Sequence, residues 1–221
     1  MFYPVPSCVI MRYVSDKQEQ QEPQPSKVWF LPQAYFSGLP KDKPPRILMI
    51  TVFVAICNAI SQKYYDDVIS QVQFYQLTCP CGLTGCLVGH GYYFRSMKTK
   101  GNKVKLRICR VKCKGCKGSH ALLLSSFVPY SQIPLADQID IISGHEEGVE
   151  LSPIMEQNRE IDENNMKAVI WHYRHHWKQK LLSENISLAP VFCLVKKCFS
   201  LFKRQFMQNK STPNILFLET P

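Results

Sequence analysis

The sequence predicts an α+β fold in which a small β-hairpin module is followed by a three-helix module, with a flexible arm in front of both. Three observations support this prediction. Two cysteine clusters flank a basic segment between residues 79 and 120. That segment alternates apolar and charged residues with the two-residue period of a strand. After Pro134 the apolar residues recur with the period of a helix.

The composition is that of a folded and strongly basic protein. An apolar fraction of 45% is ordinary for a globular chain, whereas a net charge of +10 is large for 221 residues. Residues 91–120 hold ten basic and no acidic residues, and residues 136–165 hold nine acidic residues against Arg159. The positive charge therefore belongs to the cysteine region, and nucleic acid is the expected partner.

The first 77 residues divide into an arm and a lead-in. Residues 1–45 hold eight of the fifteen prolines and a polar, glutamine-rich tract, which predicts a flexible arm. Residues 46–77 are apolar and are expected to be ordered. The apolar run at 47–60 is about 14 residues long, whereas a membrane span needs about 20, so no membrane partner is expected.

The compartment is predicted from the start of the chain and from cysteine usage. Pro4 and Pro6 stand where the apolar core of a secretory signal would lie. We therefore expect a cytoplasmic protein. In a reducing compartment, clustered cysteines bind metal more often than they form disulfides.

The basic segment is predicted to form the second strand of a hairpin. Residues 98–103 have the composition of a tight turn, with a Gly-Asn pair that tolerates positive φ. The following strand would place apolar and cationic side chains on opposite faces. The apolar face would carry Val104, Leu106 and Ile108, and the cationic face Lys105 and Arg107.

The two cysteine clusters have the spacing of a structural zinc site. Zinc takes four ligands in a tetrahedral array, usually two from each of two turns. The regular half is Cys113-Lys-Gly-Cys116, in which the glycine is expected to ease the turn. The half at Cys79-Pro-Cys81-Gly has one residue fewer than usual. Either both of its cysteines ligate Zn²⁺, or Cys86 replaces one of them.

A second metal site is the less favoured reading of the remaining residues. Its ligands would come from His90, Cys109 and His120, together with Cys86. The alternative for each histidine is a neutral side chain that is hydrogen-bonded within the hairpin. The expected cofactor is thus one structural Zn²⁺ in a zinc-ribbon domain at residues 78–133.

Residues 134–183 are predicted to form a helix-turn-helix-like domain. Pro134 is expected at the first helical position and Gly144 just past the end of the first helix. Ser152 and Pro153 are expected to open a short helix that ends near Asn158.

Asp162 is the expected N-cap of a long third helix. That helix is predicted to run from Glu163 to about Leu182. Residues 184–221 form a C-terminal extension, with a further helix expected over 191–202. The apolar stripe predicted for the long helix consists of Met166, Val169, Ile170, Tyr173, Trp177 and Leu181.

Two surfaces are candidates for contact with nucleic acid. On the hairpin, Tyr92, Tyr93 and Phe94 are positioned to stack on bases, although strand alternation favours packing for at least one of them. On the long helix, basic residues face outward as in a recognition helix, but the acidic first turn repels phosphate. A solvated charged face is the alternative for both. The candidate nucleic-acid-binding residues are Arg95, Lys98, Lys105, Arg107, Arg110, Lys112, Lys167, Arg174 and Lys178.

Several motifs within residues 75–182 resemble a known family. They are Cys79-Pro-Cys81-Gly-x-x-Gly85, His90-Gly-Tyr-Tyr93, Arg107-Ile-x-Arg110-Val-Lys-Cys113-Lys-Gly-Cys116, His120-Ala-Leu-Leu and Pro129-Tyr-Ser-Gln-Ile-Pro134. Together they resemble an uncharacterised bacterial zinc-binding domain family, which is similar to the N-terminal zinc finger of insertion-sequence transposases. The resemblance implies a zinc finger with a helix-turn-helix, linked to mobile elements. It implies Zn²⁺ ligands at Cys79, Cys81, Cys113 and Cys116.

The expected function is that of a zinc-dependent protein that binds double-stranded DNA, as a regulator or accessory factor and not as an enzyme. Only about 39 residues follow Leu182, with two carboxylates, so the catalytic domain of a transposase is not expected. The alternatives are a zinc-ribbon adaptor for protein interactions and an enzyme that processes nucleic acid through His175 or His176. No small-molecule substrate is predicted, and the oligomeric state is left open.

Overall fold

A mixed five-stranded sheet organises the structure, with strand order β2-β3-β4-β1-β5. The structure is a computed structural model that describes residues 48–54, 60–79, 81–209 and 216–219, so the predicted arm at 1–45 lies outside the described residues. The mixed α/β architecture agrees with the predicted class at that level. The strands are β1 (Leu48–Phe53), β2 (Leu87–Lys98), β3 (Lys103–Cys113), β4 (Ser119–Leu124) and β5 (Leu216–Glu219).

Strand β1 lies inside the sheet and comes from the predicted lead-in. It pairs in parallel with β4, from Leu48 opposite His120 to Val52 opposite Leu124, and in parallel with β5 on its other side. Strands that are buried on both faces read as continuous apolar runs, which accounts for the sequence of β1, where the buried Thr51 is the one polar residue. The lead-in and the cysteine-rich segment therefore share one sheet.

Strands β2 and β3 form the long antiparallel hairpin that the alternating sequence predicts. Leu106 and Ile108 are fully buried, whereas Lys105 and Arg107 are exposed, as predicted. The turn does not use the positive φ that a Gly-Asn pair tolerates, because neither residue of the pair has one. Instead, the Thr99 hydroxyl accepts a hydrogen bond from the Asn102 N–H at 3.2 Å and closes the turn.

Helix α1 (Gln62–Ser70) fills the gap where β3 and β4 diverge. The pairing of β3 with β4 covers only residues 110–112 and 119–121. Beyond it, the buried Tyr65 hydroxyl accepts from the Cys109 N–H at 2.8 Å and donates to the Leu122 carbonyl at 2.9 Å. The Gln62 carboxamide oxygen accepts from the Arg107 N–H at 2.7 Å. The helix thus replaces missing sheet partners.

Among the described residues, five helices follow strand β4, and their boundaries correct three predictions. Pro134 is the N-cap, not the first helical residue, and the first of these helices continues past Gly144. Ser152 lies inside the next helix, whose N-cap is Glu150. The helices are α2 (Leu135–Glu146), α3 (Leu151–Gln157), α4 (Glu163–His176), α5 (Lys178–Ser183) and α6 (Val191–Phe202).

The predicted long helix is divided in two. Asp162 caps α4 as predicted, because its carboxylate accepts from the Asn165 N–H at 3.0 Å. The helix stops at His176, since Trp177 leaves helical geometry at φ −122 and buries its ring against Phe202 and Phe206. The final helix has the predicted bounds. No helix in the described ranges has the length and apolar character that crossing a membrane requires.

Candidate metal centre and hairpin surface

Four cysteine sulfurs from two distant turns converge at one end of the hairpin. The Sγ atoms of Cys79, Cys81, Cys113 and Cys116 all lie within 4.8 Å of one another. The Cys79–Cys116 pair is 3.7 Å apart and the Cys81–Cys113 pair 3.8 Å apart. A tetrahedron with metal–sulfur bonds of about 2.3 Å has edges of about 3.8 Å. The arrangement therefore fits a metal ion, and all the cysteines described have free thiols.

The first turn brings two cysteines together although one residue separates them. The Cys79 N–H donates to the Leu83 carbonyl at 2.8 Å, and the Gly82 N–H donates to the Cys79 carbonyl at 2.8 Å. Gly82 has a φ of +90°, which side chains rarely allow. The turn depends on this glycine to direct both sulfurs to one point.

The second turn directs backbone donors at one of its sulfurs. The N–H groups of Gly115 and Cys116 each lie 3.3 Å from the Cys113 Sγ. Burial raises the pKa of the Cys113 thiol, but a hydrogen bond with Cys86 and the Cys116 N–H outweigh burial and lower it to about 6. Burial dominates at Cys79 and raises the pKa of its thiol. Metal binding requires thiolates, which the backbone donors stabilise.

The absence of a side chain at Gly115 allows the two cysteine turns to approach each other closely. The φ of Gly115 is not in the left-handed region, so this position needs glycine for space and not for backbone freedom. A Cβ atom at this position would lie 2.2 Å from the Leu83 Cδ1. The missing side chain lets Leu83 of the first turn pack over the second.

Cys86 lies beside the four-thiol group and not within it. Its Sγ is 3.2 Å from the Cys113 Sγ, which is short for two ligands of one tetrahedron and long for a disulfide of about 2.05 Å. Its thiol donates to the Leu83 carbonyl at 3.1 Å. The four-cysteine set is the single group of this kind among the described residues.

Of the residues considered for a second metal site, His120 lies near the four-cysteine group and Cys109 lies in the sheet core. His120 is buried, and its Nε2 lies 3.5 Å from the Cys79 Sγ, where a protonated Nε2 donates to the sulfur. Such contacts to a metal ligand orient it and tune its charge. Cys109 is buried in the sheet core, whereas His90 is exposed on β2.

The turn end of the hairpin is neutralised by the helical segment. Lys98 pairs with Asp162 at 2.8 Å and Lys103 with Glu160 at 3.3 Å. Lys100 also pairs with Asp140. The sequence separates these charges by many residues, but the fold brings the acidic segment onto the basic turn.

Arg95 ties the hairpin to the loop before α2. Its guanidinium donates to the Val128 carbonyl at 2.6 Å and to the Ser131 carbonyl. Burial lowers the pKa of this side chain. The structure thus places Arg95 against the loop before α2 and not on the face of the hairpin that carries Lys105 and Arg107.

The remaining predicted cations of β3 are divided between its two faces. Side chains alternate along a strand, so Arg110 and Lys112 face away from Lys105 and Arg107. The cationic face of β3 therefore holds two of these four candidate residues, Lys105 and Arg107. Its neighbours on β2 are Tyr92 and Phe94, because directly opposed residues share a face and Phe94 pairs with Arg107.

We call Tyr92, Phe94, Lys105 and Arg107 the hairpin outer face. The Lys105 Nζ lies 4.7 Å from the centre of the Phe94 ring, and the Arg107 Cζ lies 4.7 Å from the centre of the Tyr92 ring. Tyr93 packs instead against the core, as alternation predicts. The face therefore consists of two ring–cation pairs.

Two of the three candidate cations in the helical segment are paired with carboxylates. Lys167 pairs with Glu163 at 2.7 Å, and Lys178 pairs with Glu146 at 2.7 Å. Arg174 is exposed on α4. His175 stacks on Trp171 at a centroid distance of 4.4 Å and holds its Nδ1 2.8 Å from the Trp171 carbonyl.

The residues that hold the hairpin and the cysteine turns in place carry no recognisable sequence signal. Tyr65 and Gln62 occur in a segment without a recognisable motif, and only the three-dimensional contacts reveal their roles. Leu83 gave no signal beyond lying between the cysteines. No protein-family model, curated protein or solved structure matches the chain.

Proposed function

We propose that this chain is a zinc-dependent DNA-binding protein, in which four thiolates hold a structural Zn²⁺. The proposal is carried by the sulfur spacing of 3.7 and 3.8 Å in the four-cysteine group. An all-sulfur, near-tetrahedral donor set favours zinc over calcium, magnesium or manganese, which prefer oxygen. The ligands are Cys79, Cys81, Cys113 and Cys116.

The metal would fix the base of the hairpin that contacts nucleic acid. Leu87 pairs with Cys113 at the start of the β2–β3 ladder, directly beside the thiols. The outer face follows further along the same strands. Lys105 makes no ion pair with the described residues, and Arg107 is 3.9 Å from Asp66. Exposed cations that are weakly neutralised support binding to a polyanion.

The helical segment would contribute less to this binding. Helices α2, α3 and α4 follow the order of a helix-turn-helix, and the sequence resembles transposase-associated domains in this region. Two of the three candidate cations on or after α4 are paired with carboxylates, however. We propose a cytoplasmic regulator or accessory factor related to mobile elements, without a catalytic step of its own.

Zinc content per chain tests the metal part of the proposal. Elemental analysis of protein purified without chelator is expected to give one zinc per chain. The Cys116→Ser variant should lose it, whereas the matched Cys86→Ser variant should keep it, because Cys86 lies outside the tetrahedral set. Zinc-free wild-type protein, or equal zinc in both variants, would reject the four-cysteine assignment.

A salt titration tests the DNA-binding part. Anisotropy of labelled random DNA, presented as single strands and as duplex, should show affinity falling with log salt at a slope of about −2 to −4 if three or four phosphates are neutralised. Lys105→Glu combined with Arg107→Glu should abolish binding, whereas Lys197→Glu on α6 should have little effect. If neither the single strands nor the duplex bind at low salt, the proposal is rejected.

A zinc-dependent adaptor for protein partners is the second candidate. Exposed apolar side chains on and near α5 and α6 favour it, since Leu182 is 63% and Leu201 51% exposed. A pull-down after nuclease treatment is expected to recover a stoichiometric protein partner if the adaptor reading is right. Capture should survive charge reversal at Lys105, Arg107 and Arg110 and fail with Leu182→Asp.

A further inference from the structure

We infer that the hairpin outer face binds single-stranded nucleic acid, with Tyr92 and Phe94 as the rings on which bases stack. The inference rests on the proposed function and names its substrate class. Phe94 is 66% exposed and Tyr92 54% exposed, although both lie within β2, where regular pairing with β3 resumes at Tyr92 after a register shift. Neighbouring exposed rings on a sheet surface are typical of proteins that bind single strands.

The spacing of the two rings suits unstacked bases. Tyr92 and Phe94 are two residues apart on one face of β2, so they are separated by about 6.6 Å along the strand. Nucleotides within one strand of a duplex advance by only about 3.4 Å. One base on each ring therefore requires a strand whose bases are spread apart, and bases paired inside a duplex do not present their faces.

A cation accompanies each ring. Lys105 lies against Phe94 and Arg107 against Tyr92, each 4.7 Å from the ring centre. A nucleotide stacked on either ring would thus bring its phosphate close to a positive charge. A guanidinium plane also stacks on bases, which adds to the ring contact. Asp66, 3.9 Å from Arg107, places one carboxylate beside one of these two cations.

The face is held in shape before a ligand arrives. The Gln62 carboxamide receives a hydrogen bond from the Arg107 N–H at 2.7 Å and donates one to the Arg107 carbonyl at 3.2 Å. The turn end is tied to the helical segment through Lys98 and Asp162 at 2.8 Å. A rigid platform loses little entropy when it binds, which favours stacking on fixed rings.

A direct comparison of strands tests the inference. Zinc-loaded full-length protein is titrated into labelled 12-nucleotide single-stranded DNA, the RNA of equal sequence, and the matching duplex. Either single strand should bind at least tenfold more tightly than the duplex. Tyr92→Ala and Phe94→Ala should each weaken single-strand binding by about 5- to 150-fold, which corresponds to 1–3 kcal/mol per stacked base.

Matched variants separate stacking from apolar contact and from misfolding. Phe94→Trp should retain single-strand binding and Phe94→Leu should lose it, because leucine keeps bulk without a π face. Phe192→Ala removes an exposed ring on α6 and should have no effect. Zinc content and circular dichroism check that each variant folds.

The outcomes distinguish this inference from the proposed function. Equal affinity for single strand and duplex, with no loss in the alanine variants, would overturn the stacking inference and leave DNA binding in place. An absence of binding to all three probes would overturn both. Tighter binding of the DNA strand or of the RNA strand shows which nucleic acid the protein prefers. Either result supports stacking of unpaired bases on Tyr92 and Phe94.

Discussion

One residue at the candidate metal centre, Gly82, places a conformational constraint on the first cysteine turn. Gly82 adopts a φ of +90°, and its N–H closes the turn on the Cys79 carbonyl. A Cβ atom there would meet no atom within 4 Å, so the constraint comes from the backbone and not from crowding. Gly101 in the hairpin turn has neither a positive φ nor a neighbour within 4 Å.

Gly82→Ala is expected to lower the free energy of unfolding of the zinc-loaded protein by about 1–2 kcal/mol, because an L-residue is strained in this region. The matched Gly101→Ala variant should leave stability unchanged or raise it slightly. Urea denaturation followed by circular dichroism measures both. Equal stability of the two variants would contradict a strained first turn.

His172 links stability to pH at the residue scale. Burial lowers the pKa of its imidazole, as do the nearby His176 and Lys180, while the Gln208 backbone opposes them. The folded state therefore binds this proton less readily than the unfolded state, whose ordinary pKa is about 6.5. Stability from this group is present at higher pH and is lost as pH falls below that value.

His172→Gln should accordingly reduce the loss of stability between pH 7 and pH 5. His175→Gln serves as control, since that imidazole is exposed on the same helix. The free energy of unfolding at each pH, in saturating zinc, measures the slope. If the wild type and His172→Gln have parallel profiles, the half-buried His172 imidazole is not responsible.

At the scale of elements, helix α1 acts as a substitute strand partner. The Tyr65 hydroxyl satisfies the Cys109 N–H and the Leu122 carbonyl where β3 and β4 separate. Buried backbone groups left without partners are costly, so the sheet tolerates this gap because α1 fills it. Burial raises the pKa of the Tyr65 hydroxyl, which keeps it a donor.

Tyr65→Phe is expected to destabilise the protein by about 1–3 kcal/mol for each backbone group that loses its partner. Tyr75→Phe removes the hydroxyl of an exposed tyrosine and should be nearly neutral. Chemical denaturation of both variants compares them directly. An equally small effect in both would show that water or another group satisfies the two strands.

At the scale of the whole molecule, the candidate metal centre joins segments that are far apart in the sequence. Its sulfurs come from turns separated by more than thirty residues, on either side of the hairpin. A ligand that binds only the folded state stabilises it in proportion to the logarithm of its concentration over its dissociation constant. Zinc would therefore stabilise the sheet as a unit.

Chelation is expected to lower the midpoint of thermal unfolding of the wild-type protein substantially. At a zinc concentration of 1,000 times the dissociation constant, the metal contributes about 4 kcal/mol. Melting followed by circular dichroism, with and without EDTA, measures the shift. The Cys116→Ser variant should melt at the lower temperature in both conditions, and an unshifted wild-type melt would contradict a stabilising metal.

The sequence determined features that depend on local periodicity and spacing. Alternation in residues 104–108 predicted the buried and exposed faces of β3, and Asp162 predicted the start of α4. The Cys113-x-x-Cys116 spacing predicted one half of the cysteine group, because two intervening residues allow both sulfurs to reach one point. Each of these features depends on residues that lie within a few positions of one another in the sequence.

The tertiary structure decided what depends on distant partners. It divided the predicted long helix at Trp177, whose ring packs against Phe202 and Phe206. It brought the acidic segment onto the basic hairpin turn, so the charge runs of the sequence became ion pairs. It also set Cys81 with Cys79 in the four-sulfur group despite their short spacing. The helix break, the ion pairs and the four-sulfur group depend on contacts between residues far apart in the sequence, which local sequence patterns do not predict.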